Sequence, residues 1–504
     1  MKNDRKFFLS AVFLISLLLS VVATVFNPII GRDGALYMDI ASLATTDLSG
    51  AYGAFNWPWY PILIGWLSHA SRINPEYLWR VLGELMLATA CVLAVDMVHQ
   101  KRPGLIFWAS LAVLSIPAFN IYRGEVIREN GFWCFSVCAL WMLFRHEQTG
   151  CRTYLFGMTA TILAATFFRF EAMVLFFVFP LSRGVRALAS EGDRPLRRFA
   201  PLLVAVGALV AVAGIWLAAW KYELLHWRFV DLSQTLVDFL LNGIGKHFTP
   251  TAEKFAEIMP FKYSREDAGL ILFFGFSFYL LWKIARTLGV FVVPAAMSVF
   301  SKKSTDALPA DQERHESYPW LSTDIAALIF FAVWFIFMLY YLFLSMRYTT
   351  LMGFLLLPRI AEGLERIVSG RSRLKISVVA ISAAIVFANV ISISPPKTHL
   401  REAGKWLAEN LKESDRLYLD DPRLAYYAGW KFSPSFEEAL DVALAQTKLP
   451  YSHFILELKA EKEIQRFAAN GLRPLTSFSN RDSSRIYVVF LRTDGAQKLL
   501  DGKG

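Results

Sequence analysis

Charge and cysteine are what this 504-residue chain has least of. Asp, Glu, Lys and Arg together make up 19% of it, less than a soluble domain carries. Of its four cysteines, Cys91, Cys134 and Cys138 sit in apolar blocks and Cys151 in a basic loop. None falls in a segment expected outside the membrane, so no disulfide framework is expected there. His, Cys, Asp and Glu never gather at metal-ligand spacing. A Gly-rich phosphate loop, a nucleotide fingerprint and a Ser–His–Asp order are all missing. A soluble nucleotide-sugar or ATP site therefore has no support. There is no internal repeat and no low-complexity tract. The first apolar block lacks a cleavage site of small residues and is longer than a signal-peptide core, so it reads as a retained helix.

What the chain has is apolar length. It is 55% hydrophobic and 15% aromatic, with a mean hydropathy of +0.40. The apolar residues form blocks long enough to span a bilayer rather than amphipathic stripes. About eleven spans are expected, near 7–26, 78–98, 104–121, 126–144, 153–168, 170–189, 199–220, 267–287, 322–345, 349–363 and 375–393. The apolar run 288–299 either extends the eighth or forms a further short segment. The net charge of +10 does not point to nucleic acid, because the basic residues sit mostly in short loops between spans. Lys2, Arg5 and Lys6, then Lys101 and Arg102, Arg145 and Arg152, Arg183 to Arg198, Lys283 to Lys303, and Arg366 to Lys375 all fall on one side if the amino terminus is cytoplasmic. That is the positive-inside bias.

The other loops then face outward: 27–77, 121–127, the 168–170 hinge, 221–266, 346–349 and everything after Ser394. The first, of about 50 residues, is too long for a connector. It reads as a helix from Gly34 to Thr45, an aromatic turn, and a second helix from Pro61 to Ser71. Trp57, Trp59, Tyr60 and Trp66 suit the headgroup level. Loop 221–266 is similar, with an amphipathic stretch from Val230 to Leu241. The tail alternates a helix (His399 to Leu411), short β-rich runs (Arg416 to Leu419, His453 to Leu458, Arg485 to Arg492) and a helix (Glu461 to Asn470). That pattern predicts a small α/β domain. The expected architecture is an α-helical polytopic membrane protein: a transmembrane part, 1–394, and an extracytoplasmic α/β domain, 395–504.

Polar side chains gather where spans reach the outer face. Asp33, Tyr37 and Asp39 follow the first span in Asn27-Pro-Ile-Ile-Gly-Arg-Asp-Gly-Ala-Leu-Tyr-Met-Asp-Ile-Ala41. A charge at a membrane exit is costly to desolvate. Arg123 and Glu125 follow the third span, Arg128 and Glu129 open the fourth, Arg169 and Glu171 sit between the fifth and sixth, and Arg347 and Tyr348 between the ninth and tenth. Carboxylates for proton abstraction and arginines for a phosphate are what a site at this face needs. Simpler readings stand beside these. Asp33 fits a helix cap, Asp39 a solvated helix face, and Glu125 a rim charge paired with Arg123 or Arg128. Arg169 and Glu171 fit a mutual pair, Arg80 and Glu84 an i,i+4 pair, and Arg347 a snorkelling anchor. Lys246 and His247 fit solvated loop residues.

Arg32-Asp33-Gly34-Ala35-Leu36-Tyr37-Met38-Asp39-Ile40-Ala41, Trp57-Pro58-Trp59-Tyr60-Pro61-Ile62-Leu63, Arg123-Gly124-Glu125, Phe168-Arg169-Phe170-Glu171 and Arg347-Tyr348 with Leu357-Pro358 occur in an order that resembles the GT-C class of membrane glycosyltransferases. The likeness is to its protein O-mannosyltransferase and aminoarabinose transferase branch, and covers about 400 residues. Two positions depart from it. Gly34 stands where many members carry Glu, and Trp57 where the aminoarabinose branch has a phosphate-contacting Lys, which argues against lipid A as acceptor. The resemblance implies transfer of a sugar from a polyprenyl-phosphate donor to a hydroxyl on a glycan, lipid or protein, with inversion and no strict metal. It implies Asp33 as base, Glu125 as its helper, and Arg347 or Arg169 at the phosphate. Tyr37, Asp39, Arg123, Arg128, Glu171 and Tyr348 are the further substrate-binding candidates. The location implied is the inner (plasma) membrane, with the tail periplasmic. The rival class, a transporter or lipid-linked glycan flippase, would explain the many spans. It lacks repeat halves and mid-membrane helix breaks here.

Overall fold

The structure is a computed structural model. It describes residues 2–55, 57–189, 265–300, 319–341, 344–391, 398–412, 415–431, 440–445, 451–459, 461–469, 471–480 and 485–493. The span expected at 199–220 and residues 221–264 of the loop 221–266, with Lys246 and His247, lie outside the described residues. The chain is a multi-pass, mainly helical membrane protein with a small C-terminal sheet. Five helices among the described residues are long and apolar enough to cross a membrane: Asp4–Phe26, Pro75–Lys101, Phe274–Phe300, Leu321–Met338 and Ser372–Val390. Shorter apolar helices are Pro103–Ser115 and Thr153–Phe168. In the bilayer every backbone polar group needs an internal partner, which is why apolar runs of this length fold as helices.

Three expected spans are interrupted, two of them beside a proline. In 104–121 the helix Ile106–Ser115 stops at Ile116 (ψ 122°). Pro117 follows, and a residue before proline is pushed to extended backbone. The helix resumes over Pro117–Ile121, and Asn120 Nδ2 donates to the Leu114 carbonyl at 3.0 Å. Phe170–Phe177 is a 3-10 turn before the helix Val178–Ala189. The run 349–363 is split into Met346–Thr349, Leu351–Leu355 and Leu357–Val368, where Pro358 offers no amide to the preceding turn.

The chain divides into two compact units. The first comprises Met1–Leu19, Glu84–Tyr122 and Arg128–Asn389. Its buried charges are paired, as burial demands. Asp96 takes a forked bond from Arg5 and further bonds from Gln100 and Trp141. Glu362 meets Arg102 at 2.6 Å and Ser298 at 2.6 Å.

The second unit comprises Ser20–Gly83, Arg123–Ile127 and Val390–Gly504. Helices Arg32–Leu43, Leu48–Gly53 and Trp59–Ser71 follow the first apolar helix. Gly65 allows the last to cross the first closely, since a Cβ there would run into the Ala41 carbonyl oxygen. The C-terminal part holds β1 (Leu417–Leu419), β2 (His453–Leu458), β3 (Leu472–Ser479) and β4 (Ile486–Arg492), in spatial order β1-β2-β4-β3. β1 and β2 are parallel, and the β2–β4 and β4–β3 pairs antiparallel. Alternation sends Leu417, Leu419, Ile455 and Val489 to one face, against helices Thr398–Asn410 and Arg423–Ala428. It sends Tyr418, Phe454, Leu456, Val488 and Phe490 to the other, against Leu440–Ala445 and Glu461–Ala469. Each fully buried aliphatic side chain contributes about 1.5–3 kcal/mol. Ile29, from the loop after the first apolar helix, is buried within the first of these two cores.

Candidate functional site

Asp33 lies in the first turn of Arg32–Leu43, whose N-cap is Gly31. The carboxylate is therefore inside the helix rather than capping it, as a start at Gly34 would have required. It is half-buried. Tyr37 sits one turn further on the same face, buried and stacked on Trp79 at 5.3 Å, with Phe55 against its edge. Trp79 Nε1 donates to the Ile127 carbonyl at 3.1 Å. Tyr37 thereby joins an aromatic block under the helix. Asp39 is half-buried and, six residues on, lies about 240° round the axis from Asp33.

The segment Arg123–Ile127 brings Glu125 to the start of this helix. Asn27 Nδ2 donates to Glu125 Oε1 at 3.2 Å. A Cβ at Gly31 would lie 3.3 Å from Glu125 Oε2. Gly34 faces the same segment: a Cβ there would come within 2.7 Å of Ile30 Cγ1 and 3.0 Å of Val126 Cβ. A side chain at position 34 would therefore crowd Ile30 and Val126. Arg123 is turned inward, buried, and donates to Ser20 Oγ at 3.1 Å. Gly124 has φ +72°, a left-handed turn that favours glycine. Arg80 donates to its carbonyl. Arg80 holds Glu76, one turn before it on the same helix, at 2.7 Å.

The arginines form a second cluster, in the first unit. Arg169 is 7% exposed. Its Nη1 donates to Glu129 Oε1 at 2.8 Å, its Nη2 to Glu171 Oε1 at 2.5 Å and its Nε to Glu171 Oε2 at 3.3 Å. Its guanidinium lies over the Tyr348 ring at 4.2 Å. Arg347, with 23% of its side chain exposed, approaches Glu129 Oε1 at 3.4 Å through Nε. Arg128 is half-buried and immediately precedes the helix Glu129–Thr149. Arg169, Glu171, Arg347 and Tyr348 are thus brought together around Glu129. The sequence named Glu129 as a polar residue at this face but gave it no role. The whole fork of Arg169 is spent on carboxylates, so the more exposed Arg347 is the better placed cation for an added anion.

No group of three or more His, Cys, Asp or Glu side chains that could hold a metal occurs among the described residues. The sequence gave no sign of Tyr427, whose hydroxyl accepts the Ile30 amide just before the Asp33 helix, or of Tyr426, which donates to Glu76. Their partners lie some hundreds of residues away along the chain.

No known protein-family profile matches this chain, and no curated protein does. Solved structures show a distant likeness. The ArnT of Cupriavidus metallidurans in its apo state is 11% identical, with a TM-score of 0.39, over 97% of this chain and 98% of its own. The same ArnT bound to undecaprenyl phosphate has a TM-score of 0.40, at 11% identity over the same shares. The oligosaccharyltransferase of Archaeoglobus fulgidus, tethered to an acceptor peptide, is 14% identical, with a TM-score of 0.43, over 90% of this chain and 61% of its own.

Proposed function

We propose that this chain is a GT-C type membrane glycosyltransferase. It moves a hexosyl or pentosyl group from a polyprenyl-phosphate donor to a hydroxyl of a glycan, lipid or protein acceptor, with inversion, at the outer face of the membrane. The observation that supports this most is the meeting of two carboxylate-bearing segments just after the first apolar helix, with Glu125 beside Gly31 at the start of the Asp33 helix.

Asp33 takes the acceptor proton as the acceptor oxygen bonds to the anomeric carbon. Glu125 orients that hydroxyl. The bond from the anomeric carbon to the phosphate oxygen breaks, and the polyprenyl phosphate leaves with the bonding pair. Arg347 stabilises the charge that develops on it. Tyr37, Asp39, Arg123, Arg128, Arg169, Glu171 and Tyr348 hold these groups or the substrates. The reaction so written calls for no metal and no nucleic acid. The donor's tail lies in the bilayer. The location we assign is the inner (plasma) membrane, with the amino terminus cytoplasmic, residues 1–394 as the transmembrane part and 395–504 as a periplasmic domain.

The test is turnover of a radiolabelled polyprenyl-phosphate sugar by the purified protein. The parent transfers label to a hydroxyl acceptor, and Asp33→Asn lowers kcat at least about hundredfold with normal yield. If Asp33→Asn keeps most of the activity, the base is another residue. If the parent moves intact donor lipid across vesicles without transferring sugar, it is a transporter.

A further inference from the structure

The short helix Arg423–Ala428 carries two adjacent tyrosines, and each reaches a different acid-bearing segment of the second unit. Neighbouring residues on a helix point about 100° apart. Here their rings are 5.2 Å apart and inclined at 68°.

Tyr427 serves the Asp33 segment. Its hydroxyl oxygen accepts the Ile30 amide at 2.9 Å, three residues before Asp33 and one before the N-cap Gly31. Arg401 lies over the Tyr427 ring and donates to the Pro28 carbonyl at 3.4 Å. Between these two ties Ile29 is buried among Leu400, Ala403, Leu407 and Leu424. Three consecutive residues, Pro28 to Ile30, are thus held by the C-terminal part. Gly404 lets the helix Thr398–Asn410 close on Tyr427, since a Cβ at 404 would collide with the Tyr427 Cβ.

Tyr426 serves the Glu125 segment through a relay. Its hydroxyl donates to Glu76 Oε2 at 2.5 Å. Glu76 Oε1 accepts both Arg80 Nε at 2.9 Å and Nη2 at 2.7 Å. Arg80 Nη1 donates to the Gly124 carbonyl, one residue before Glu125. A fork held on one side by Glu76 has its third nitrogen fixed in direction.

We propose that Tyr426 and Tyr427 are positioning residues that set the two acidic segments separately, Tyr427 the Asp33 helix start and Tyr426 the Glu125 turn. The C-terminal part is on this view a jig for the carboxylates as well as a surface for acceptors. The two attachments stand on their own contacts. Their consequence for turnover rests on the reading of Asp33 and Glu125 given above.

The experiment is hydrogen exchange of the full-length protein in nanodiscs, comparing the parent with Tyr427→Phe, Tyr426→Phe and the double variant. Each change removes one hydroxyl and keeps the ring. Tyr427→Phe speeds exchange in 28–35 about fivefold, the worth of one hydrogen bond, and leaves 123–127 as in the parent. Tyr426→Phe does the reverse. Amides of β2 and β4 stay as protected as in the parent in both. In the transfer assay each variant lowers kcat with little change in KM, and the double variant lowers it further. Parent-like exchange in both segments overturns the proposal. So does loosening that spreads equally to β2 and β4, which would mark plain destabilisation. A loss of kcat without local loosening overturns it as well, and local loosening with unchanged kcat overturns the catalytic consequence. If the parent shows no transfer, the exchange measurements still decide the attachments, and the glycosyltransferase reading fails by itself.

Discussion

Arg169 and Glu129 form a buried ion pair at 2.8 Å, one side chain 7% and the other 1% exposed. Glu129 is the shared anion of the cluster, since Arg347 approaches the same oxygen at 3.4 Å. The two arginines are therefore not equivalent. Arg169 is enclosed, forked between Glu129 and Glu171, and covered by the Tyr348 ring. Its removal takes the forked partner from Glu171 and leaves the buried Glu129 with Arg347 alone, at 3.4 Å.

Arg169→Ala should cost about 3–5 kcal/mol of stability, the usual penalty for breaking a buried pair. Arg347→Ala should cost about 1 kcal/mol or less, since its partner keeps Arg169 and its own side chain reaches solvent. Thermal unfolding of the purified protein measures both. The transfer assay should show the opposite ranking per folded molecule, with Arg347→Ala losing kcat because the leaving phosphate loses its cation. An Arg169→Ala protein that melts with the parent would sink this division of labour.

Gly34 gives a second prediction, because a side chain there would be crowded. A Cβ would press on Ile30 Cγ1 at 2.7 Å and Val126 Cβ at 3.0 Å, in a residue that is itself buried. Gly34→Ala should lower stability by about 1–3 kcal/mol, the range for overpacking, and Gly34→Glu by more, since it also buries a charge. The gain in helix propensity from Gly to Ala, about 1 kcal/mol, works against this and makes the sign informative. A rise in the unfolding midpoint of Gly34→Ala would show that the Ile30 and Val126 contacts yield.

How much of this was legible in the sequence follows from the range of the forces involved. The apolar helices could be read because desolvation acts on each segment by itself: 153–168 is the helix Thr153–Phe168, and His453–Leu458 is the strand β2. The helix break at Ile116 was also written locally, in Pro117, and the reading of 104–121 as one span passed over it. β3, at one edge of the sheet, was not read because a proline and a broken alternation hide it. Its Arg473, Pro474 and Leu475 are exposed, and its register shifts between Pro474 and Thr476. Proline and a broken alternation are tolerated at an edge. In the candidate site, Asp33 and Glu125 were visible as charges at a membrane exit, and Arg169, Glu171, Arg347 and Tyr348 do meet. What no local pattern reveals is who meets whom. Glu129 gains its importance from Arg169, 40 residues on, and Glu76 from Tyr426, 350 residues on.

Asp421 supplies the pH prediction. It is fully buried. Arg423 holds it through its backbone amide at 3.0 Å, Nε at 2.9 Å and Nη2 at 2.5 Å, Tyr487 donates to it at 3.0 Å, and Arg32 stands 3.9 Å away. Burial opposes its ionisation, but the Arg423 bonds and charge outweigh burial and hold the carboxyl below its ordinary value of 3.8. The unfolded chain therefore binds the proton more readily than the folded one. The stabilisation is complete above the ordinary carboxylate range and is lost as pH falls through the lower folded value. Asp420 next to it is pushed up, by burial first and then by the charges of Glu457 and Asp421 against the opposing Glu457 amide bond and Arg32. Its contribution has the opposite sign, so a comparison of variant with parent at each pH is the informative one. Asp421→Asn should reduce exchange protection across 415–431 at neutral pH by about a hundredfold or more, as a broken buried pair implies. The gap to the parent should narrow only below about pH 4, where the parent loses the same charge. Hydrogen exchange of the full-length protein at matched pH cancels the intrinsic exchange rate. A gap that stays constant from pH 7 to pH 3 would mean that the Asp421 charge contributes nothing, and that Arg423 is held by packing alone.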